Sequence, residues 1–286
     1  MLKVIKEYPA RGPLQQFRLE RAAAFTCFRC GTTKTAKLRS VYAGDQSRLL
    51  CNGCYGRLLS IFDVKASGLG DDEKADRLAQ LLVGLASEDD ARRAVRRLQV
   101  ARASVDHLVP AAVRLLGTAE YVAASLDGRP NLDWSAAVIG LCKAVEVEAG
   151  ARLVEPLKRG ASGIDLSVDV KDKDLGRVAS YCAGRADKPP EMGAMRHFLQ
   201  TAVNSEQRAT TSPILGVLRA LVARWPGASW ILSPSGFLGG LAELTTRFRN
   251  PAAHVDELAR ADFVACRELV AGPRGLLWEL ALATQA

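Results

Sequence analysis

The sequence predicts a mostly α-helical protein, a helical bundle with a small N-terminal module of one β-hairpin and one helix. Aromatic residues make up only 6% of the chain, while Ala, Leu and Arg are plentiful, a composition that favours helices over a β-rich fold. After residue 70, apolar residues recur at helical spacing. Before it, four cysteines fall in two C-x-x-C pairs.

The 286 residues are enough for two domains. We expect a basic cysteine module over residues 1–65 and a helical domain over residues 106–286. Between them, residues 66–105 are predicted to be a linker followed by connecting helices, because Ala-Ser-Gly-Leu-Gly at 66–70 is typical of a linker.

The helices are predicted from apolar spacing and from capping residues. Asp71 or Asp72 can cap the first helix, and Ser87 with Asp90 resembles a capping box at the start of the second. Asp133 can cap a long helix that follows. Further helices are predicted at about 106–125, 134–158, 171–183, 191–206, 212–224, 236–249, 256–271 and 275–284.

Positive charge is concentrated at the N-terminus. Residues 1–65 contain 12 Lys/Arg and 4 Asp/Glu, whereas the other 221 residues contain 27 of each. A compact basic module suggests contact with a polyanion such as nucleic acid, although a solubilising arm would have the same composition. The arginine stripe at residues 92–97 instead reads as a solvated helix face, because acidic residues lie four positions before Arg92 and Arg93.

The cysteine spacing is C-x2-C-x20-C-x2-C, formed by Cys27, Cys30, Cys51 and Cys54. Four thiolates at this spacing predict one closed, structural zinc site, with Gly31 and Gly53 allowing tight turns. A dithiol redox pair is the alternative.

A hairpin is expected between the cysteine pairs, with residues 34–43 and 46–50 as strands and Gly44-Asp45 as the turn. A helix should follow Cys54. Knuckle, hairpin and helix in this order resemble a treble-clef or zinc-ribbon module over about 40 residues. Residues 1–24 give no clear element. Basic residues around the site are candidates for phosphate contacts: Lys34, Lys37, Arg39, Arg48 and Arg57.

The remaining cysteines, Cys142, Cys182 and Cys266, lie singly in apolar helical stretches and are predicted to be buried. Residues 1–12 have no signal-peptide pattern, and no apolar run approaches the length of a membrane span. Unpaired thiols together with a zinc pattern indicate a cytoplasmic protein that has no membrane partner.

The strongest candidate for chemistry is the segment from Arg249 and Asn250 to His254. Pro251 disfavours helical angles at Asn250, so a break is expected there, with Asn250 capping a new helix. The break would bring an imidazole and a guanidinium towards one cleft. Imidazole exchanges protons near neutral pH, and arginine can hold a phosphate through two hydrogen bonds.

At Arg249-Asn250-x3-His254, the sequence resembles the HEPN superfamily, whose signature is an arginine followed by a histidine four to six residues later. The resemblance covers about residues 106–286. It implies a metal-independent endoribonuclease that acts as a homodimer on RNA and leaves a 2′,3′-cyclic phosphate. It also implies that His254 is the acid/base, Arg249 the phosphate clamp and Asn250 an orienting residue. Many such enzymes are bacterial toxins or antiviral defence effectors, which would have a protein partner or inhibitor.

Two other functions are compatible with these residues. The first is a non-catalytic adaptor that binds nucleic acid or protein through a degenerate HEPN domain. The second is a zinc-dependent nuclease of the HNH type, which is disfavoured because residues 1–106 contain no histidine. The other two histidines, His107 and His197, are predicted to be packed or half-buried on helices.

Overall fold

The computed structural model describes residues 3–84, 87–101, 103–127, 133–254 and 257–285. These residues form two compact units. The first unit runs to Leu69 and also includes Leu126 and Asp127, and the second comprises residues 70–125 and residues from Asp133 onward.

The first unit contains a four-stranded antiparallel sheet, in the order β1-β2-β3-β4. The expectation that residues 1–24 form no clear element is wrong, because β1 and β2 lie there. The register of β2 shifts between Arg18 and Ala23, which interrupts the period-two alternation by which a strand is recognised. The strands are Val4–Glu7 (β1), Leu14–Thr26 (β2), Thr33–Tyr42 (β3) and Asp45–Leu50 (β4).

The predicted hairpin is confirmed as β3 and β4, but its turn is centred one residue earlier than expected. Tyr42 pairs with Asp45, so Ala43 and Gly44 form the two-residue turn. Both have positive φ, 54° and 70°, as a type I′ hairpin turn requires.

One helix completes the first unit. Helix α1 spans Asn52–Lys65 and buries Cys54, Leu58 and Ile61. Cys54 and Leu58 pack in an apolar core with Leu14 of β2 and Leu50 of β4. The cysteine cluster is therefore part of the core of this unit.

The second unit is helical, as predicted, and no helix that the structure describes has the length and apolar character needed to span a membrane. A 3-10 segment lies at Ala103–His107, and π-helical segments lie at Gly150–Val154 and Leu244–Arg249. The α-helices are α2 Asp71–Val83, α3 Glu88–Ala101, α4 Pro110–Leu126, α5 Ser135–Ala149, α6 Glu155–Gly160, α7 Ser167–Val170, α8 Gly176–Cys182, α9 Met192–Asn204, α10 Glu206–Thr211, α11 Pro213–Val222, α12 Ala228–Ile231, α13 Phe237–Glu243, α14 Asn250–Ala253, α15 Arg260–Ala271 and α16 Leu276–Ala283.

Helix α5 is the centre of this unit, and nearly all of its residues are buried. It packs against α2, α14, α15, α16 and the π-helical segment Leu244–Arg249. Asp133 accepts the backbone N–H of Ser135 at 2.9 Å, but the N-cap of α5 is Trp134, one residue after the predicted cap. Cys142, Cys182 and Cys266 are buried, as predicted.

The linker over residues 66–105 differs from what was expected, since α2 belongs to the core of the helical unit. Leu78 and Leu82 of α2 are fully buried and α2 packs on α5. Residues before Gly70 belong to the first unit. The boundary between the units therefore falls at the end of the glycine-containing segment.

The start of α3 follows the capping-box expectation, with Asp90 N–H donating to the Ser87 hydroxyl at 3.2 Å. Arg92 pairs with Glu88 at 3.2 Å, and Arg93 pairs with Asp90. These side chains are mostly exposed, so this part of the arginine stripe is a solvated helix face.

The expected break at Asn250 is wrong. Asn250 has helical angles, φ −66° and ψ −50°, and the helix ends at His254, where the backbone becomes extended. The π-helical turn Leu244–Arg249 ends two residues before Pro251. Its wider ring accommodates a proline, which cannot donate a backbone hydrogen bond.

Two Gly→Ala variants should separate two effects on stability, the tight packing around α5 and the intrinsic helix propensity of alanine. A Cβ at Gly140 of α5 would lie 2.4 Å from Leu82 and 2.9 Å from Ala119, whereas a Cβ at Gly216 of α11 meets nothing within 4 Å. Gly140→Ala should therefore lower the free energy of unfolding by about 1–3 kcal/mol in urea denaturation. Gly216→Ala should raise it by about 0.5–1 kcal/mol. Equal effects would contradict this packing of α5.

Candidate functional site

The four predicted metal ligands converge in the first unit. The Sγ atoms of Cys27, Cys30, Cys51 and Cys54 all lie within 4.8 Å of one another. A tetrahedron with metal–sulfur bonds of about 2.3 Å has sulfur–sulfur edges of about 3.8 Å. The Cys30–Cys51 separation is 3.8 Å, so the cluster fits a single tetrahedral metal ion.

Local backbone structure brings these thiols together. Gly31 has φ +71° and its N–H donates to the Cys27 carbonyl at 2.8 Å, which closes the first knuckle. Cys51 is the N-cap of α1, and Cys54 lies in its first turn. Gly53 also lies in this turn, so the tight turn predicted there is a helix start.

The electrostatics of the cluster indicate a need for a cation. Burial, together with the neighbouring Cys27 thiol, raises the pKa of Cys54 above its usual range. Burial opposes ionisation of Cys30 as well, but hydrogen bonds with Thr32 outweigh it and lower the pKa of Cys30 to about 6. A bound metal cation would favour the thiolate form at every position.

Most of the predicted phosphate-contacting residues of this unit are accessible. Lys34, Lys37 and Arg57 are exposed. Arg48 is about 30% exposed and pairs with Asp45 at 3.2 Å. Because successive strand residues point to opposite faces, Lys34 and Lys37 of β3 lie on different faces of the sheet.

Arg39 differs from the other four residues because it is buried. Its guanidinium donates to the Ala24 carbonyl at 3.0 Å and lies over the Phe25 ring at 4.4 Å. Burial lowers the pKa of Arg39 from its ordinary value. Arg39 therefore stabilises the sheet, and we do not include it in a phosphate-binding surface.

The second candidate site lies in the helical unit, where Arg249 and His254 both meet the start of α2. Arg249 is 3% exposed and pairs with Asp72, and it also donates to the Asn250 side chain at 3.1 Å. His254 is about half exposed, with Nε2 lying 3.6 Å from the Asp71 carboxylate. Two adjacent carboxylates thus hold the arginine and the histidine at one end of α2.

A cavity of about 420 Å³ lies beside this cluster. It is lined by Asp71, Asp72, Arg249 and Asn250, together with residues of α8 and α9. From α9 come Arg196 and His197, and from α8 comes Arg177, which pairs with Asp72 at 3.0 Å. The site therefore has basic groups from α8, α9 and the distant segment around Arg249.

Sequence reasoning missed several of these residues. His197 is exposed and lines the cavity, whereas a half-buried position without a partner was expected. His107 is exposed in the 3-10 segment Ala103–His107 and is not packed in an apolar helix. Asp71 and Asp72 were interpreted as helix caps. They occupy the first turn after the N-cap Gly70, and their carboxylates turn to the site.

Comparison with protein-family models, curated proteins and solved structures gives no match for this chain.

Removal of one thiolate should destabilise the first unit and leave the stability of the helical unit unchanged. We expect Cys51→Ser to lose the bound metal and to unfold the first unit, because closed cysteine sites contribute directly to folding. The helical unit should remain folded, since its core contains none of the four ligands. Elemental analysis and far-UV circular dichroism would measure both effects. Cys182→Ser, in α8, should keep the full metal content, and equal metal loss in both variants would contradict the assignment.

The two neighbouring aspartates should differ sharply in their effect on stability. Asp72→Ala leaves the Arg249 guanidinium buried without its carboxylate, so unfolding free energy should fall by about 3 kcal/mol. Asp71→Ala removes a pair that is largely exposed, and the change should be under about 1 kcal/mol. Urea denaturation followed by helical signal tests this. Similar losses for both variants would show that Arg249 does not depend on Asp72.

Proposed function

We propose that this protein is a metal-independent endoribonuclease of the HEPN type. The observation that carries the proposal is that Arg249 and Asn250 line one cavity with Asp71 and Asp72. Each aspartate lies against one basic side chain, Asp72 against Arg249 and Asp71 against His254. An imidazole next to a carboxylate and a guanidinium next to an open cavity are the groups that transfer of a phosphodiester requires.

In this proposal His254 removes the proton from a ribose 2′-hydroxyl, and the 2′-oxygen attacks the adjacent phosphorus. The bond from phosphorus to the 5′-oxygen breaks, and that oxygen takes a proton from water, while protonated His254 returns its proton to water. The products are a 2′,3′-cyclic phosphate and a 5′-hydroxyl end, with no change in oxidation state. Asp71 orients the imidazole, and Arg249 offsets the charge that develops on the phosphate.

One observation favours the alternative function, a non-catalytic adaptor that binds nucleic acid or protein. Arg249 is buried and already paired with Asp72, as a structural arginine would be. The endoribonuclease proposal accommodates this pair if Asp72 holds the guanidinium at the wall of the cavity that Arg249 lines. In a homodimer, Arg249 and His254 of both protomers would line one shared cleft.

We further propose that the four-cysteine cluster holds zinc, since four thiolates at tetrahedral spacing are typical ligands of structural zinc. The metal stabilises a basic module, on which exposed Lys34, Lys37 and Arg57 contact phosphates of RNA. Such a module recruits RNA or a protein partner in the cytoplasm, and a bacterial toxin or antiviral defence role fits this arrangement.

Cleavage of a defined single-stranded RNA in EDTA tests the catalytic proposal. We expect the wild-type protein to leave 2′,3′-cyclic phosphate ends, resolved by gel electrophoresis and mass spectrometry. His254→Ala should lower the rate by about 10²-fold or more, because it removes the acid/base group.

His107→Ala is the matched control, because its imidazole is exposed and lies outside the cavity. It should cleave at the wild-type rate. If His254→Ala cleaves as fast as wild type, the endoribonuclease assignment is wrong and the adaptor remains.

A further inference from the structure

We propose that the cavity between α2, α8 and α9 is a phosphate-binding site in which Arg196 joins Arg249 as a donor to the phosphate oxygens. Both arginines line this cavity of about 420 Å³. The motif by which Arg249 was identified does not include α9. Arg196 is therefore an additional binding residue, which the sequence pattern did not indicate.

The main evidence is that each of the two guanidinium groups has a nitrogen without a hydrogen-bond acceptor in the part of the chain that the structure describes. The Nε atoms of Arg196 and Arg249 are both buried, and neither has a hydrogen-bond acceptor among the described residues. Arg249 is nine-tenths buried and uses its two terminal nitrogens on Asp72 and Asn250. Buried charged donors are normally paired. Both guanidinium groups belong to side chains that line one cavity, and two arginines there suit an anionic ligand with more than one acceptor oxygen.

Helix α9 adds positive potential at the same place. Its first-turn residues Gly193 and Ala194 also line the cavity, and the N-terminus of a helix attracts anions. A Cβ built at Gly193 would have only the Asp72 carboxylate oxygen within 4 Å, at 3.8 Å. The start of the helix therefore lies next to the carboxylate that already binds Arg249 and Arg177.

Most charged groups that face the cavity are paired with one another, but not all of them. The lining has four Lys/Arg and three Asp side chains. Asp174 is neutralised from outside the lining by Arg208, at 2.7 Å. Asp72 is shared by Arg249 and Arg177. Arg177 also pairs with Glu191 at 3.4 Å, and Arg208 also pairs with Asp172 at 3.1 Å. Arg196 and Lys173 are then the lining cations without an ion pair among the described residues, and a phosphate group would pair with them.

The phosphate can come from a nucleic-acid backbone or from a small phosphorylated molecule. A second cavity of about 440 Å³ shares Lys173 and Arg177 with the first and also contains Lys188. Basic residues thus continue beyond the first cavity, which suits the repeated phosphates of an oligonucleotide. The experiment compares both sources.

This inference deepens the proposed function, since both use Arg249, but it requires no bond cleavage. If His254→Ala cleaves RNA at the wild-type rate, the catalytic proposal is wrong. Phosphate binding through Arg196 is still possible in that case. Conversely, if RNA cleavage requires His254 but Arg196→Ala binds phosphate as tightly as wild type, this inference is wrong and the catalytic proposal stands.

The test is equilibrium binding by the full-length protein, measured by calorimetry. Inorganic phosphate, adenosine monophosphate and a 2′-deoxyoligonucleotide that lacks the attacking hydroxyl serve as probes. Arg196→Ala should weaken binding roughly tenfold or more, the loss expected for a charge-assisted hydrogen bond. Arg196→Lys keeps the charge without the planar fork and should give an intermediate loss. Far-UV circular dichroism checks that both variants are folded.

Arg247→Ala is the matched control, because Arg247 is on the same π-helical turn as Arg249 but is exposed and paired with Glu243. It should bind every probe as tightly as wild type. The source is read from the affinity that Arg196→Ala removes, because the basic module also binds nucleic acid in the proposed function. A larger loss for the oligonucleotide than for the two small probes identifies a nucleic-acid backbone, and the reverse identifies a small phosphorylated ligand. Either result supports the site. Equal affinities for wild type, both Arg196 variants and Arg247→Ala, or no binding of any probe, would overturn it.

Discussion

Helix α5 is buried over almost its whole length, so the helices of the second unit must pack on it from several directions. This constraint places α2 on one part of α5 and α14 on another, with α14 also against α2. It positions α9 as well. The buried Glu146 of α5 accepts the N–H of Met192, the first residue of α9, at 2.9 Å. The cavity and its arginines depend on this arrangement.

Glu146 shows how strongly the core requires paired charge. Burial raises the pKa of this carboxyl above its usual range, although Lys143 acts in the opposite direction. On the same helix, fully buried Glu148 pairs with Arg152 and accepts the Val109 N–H at 2.9 Å. Arg249 follows the same rule through Asp72, except that its Nε remains without an acceptor among the described residues.

The two candidate sites differ in how much of their geometry is local. In the cysteine cluster, each pair of ligands lies within a few residues, and one hairpin brings the pairs together. Spacing alone therefore predicted all four ligands. The second site combines α2, α8, α9 and the segment from Arg249 to His254, and no spacing rule relates these elements. Asp72 and Arg249 are 177 residues apart, so their pairing could not be predicted from either neighbourhood.

Apolar periodicity and cysteine spacing were sufficient to determine from the sequence that the chain is mostly helical, where most helices lie and which thiols cluster. They failed for β2, where a register shift interrupts alternation, and at Asn250, where a π-helical turn accommodates Pro251. Only the tertiary structure decided which charges meet across the helical unit. It buried Arg249 against Asp72 and brought Arg196 and His197 to the same cavity, because long-range packing on α5 fixes these positions while local sequence carries no signal for them.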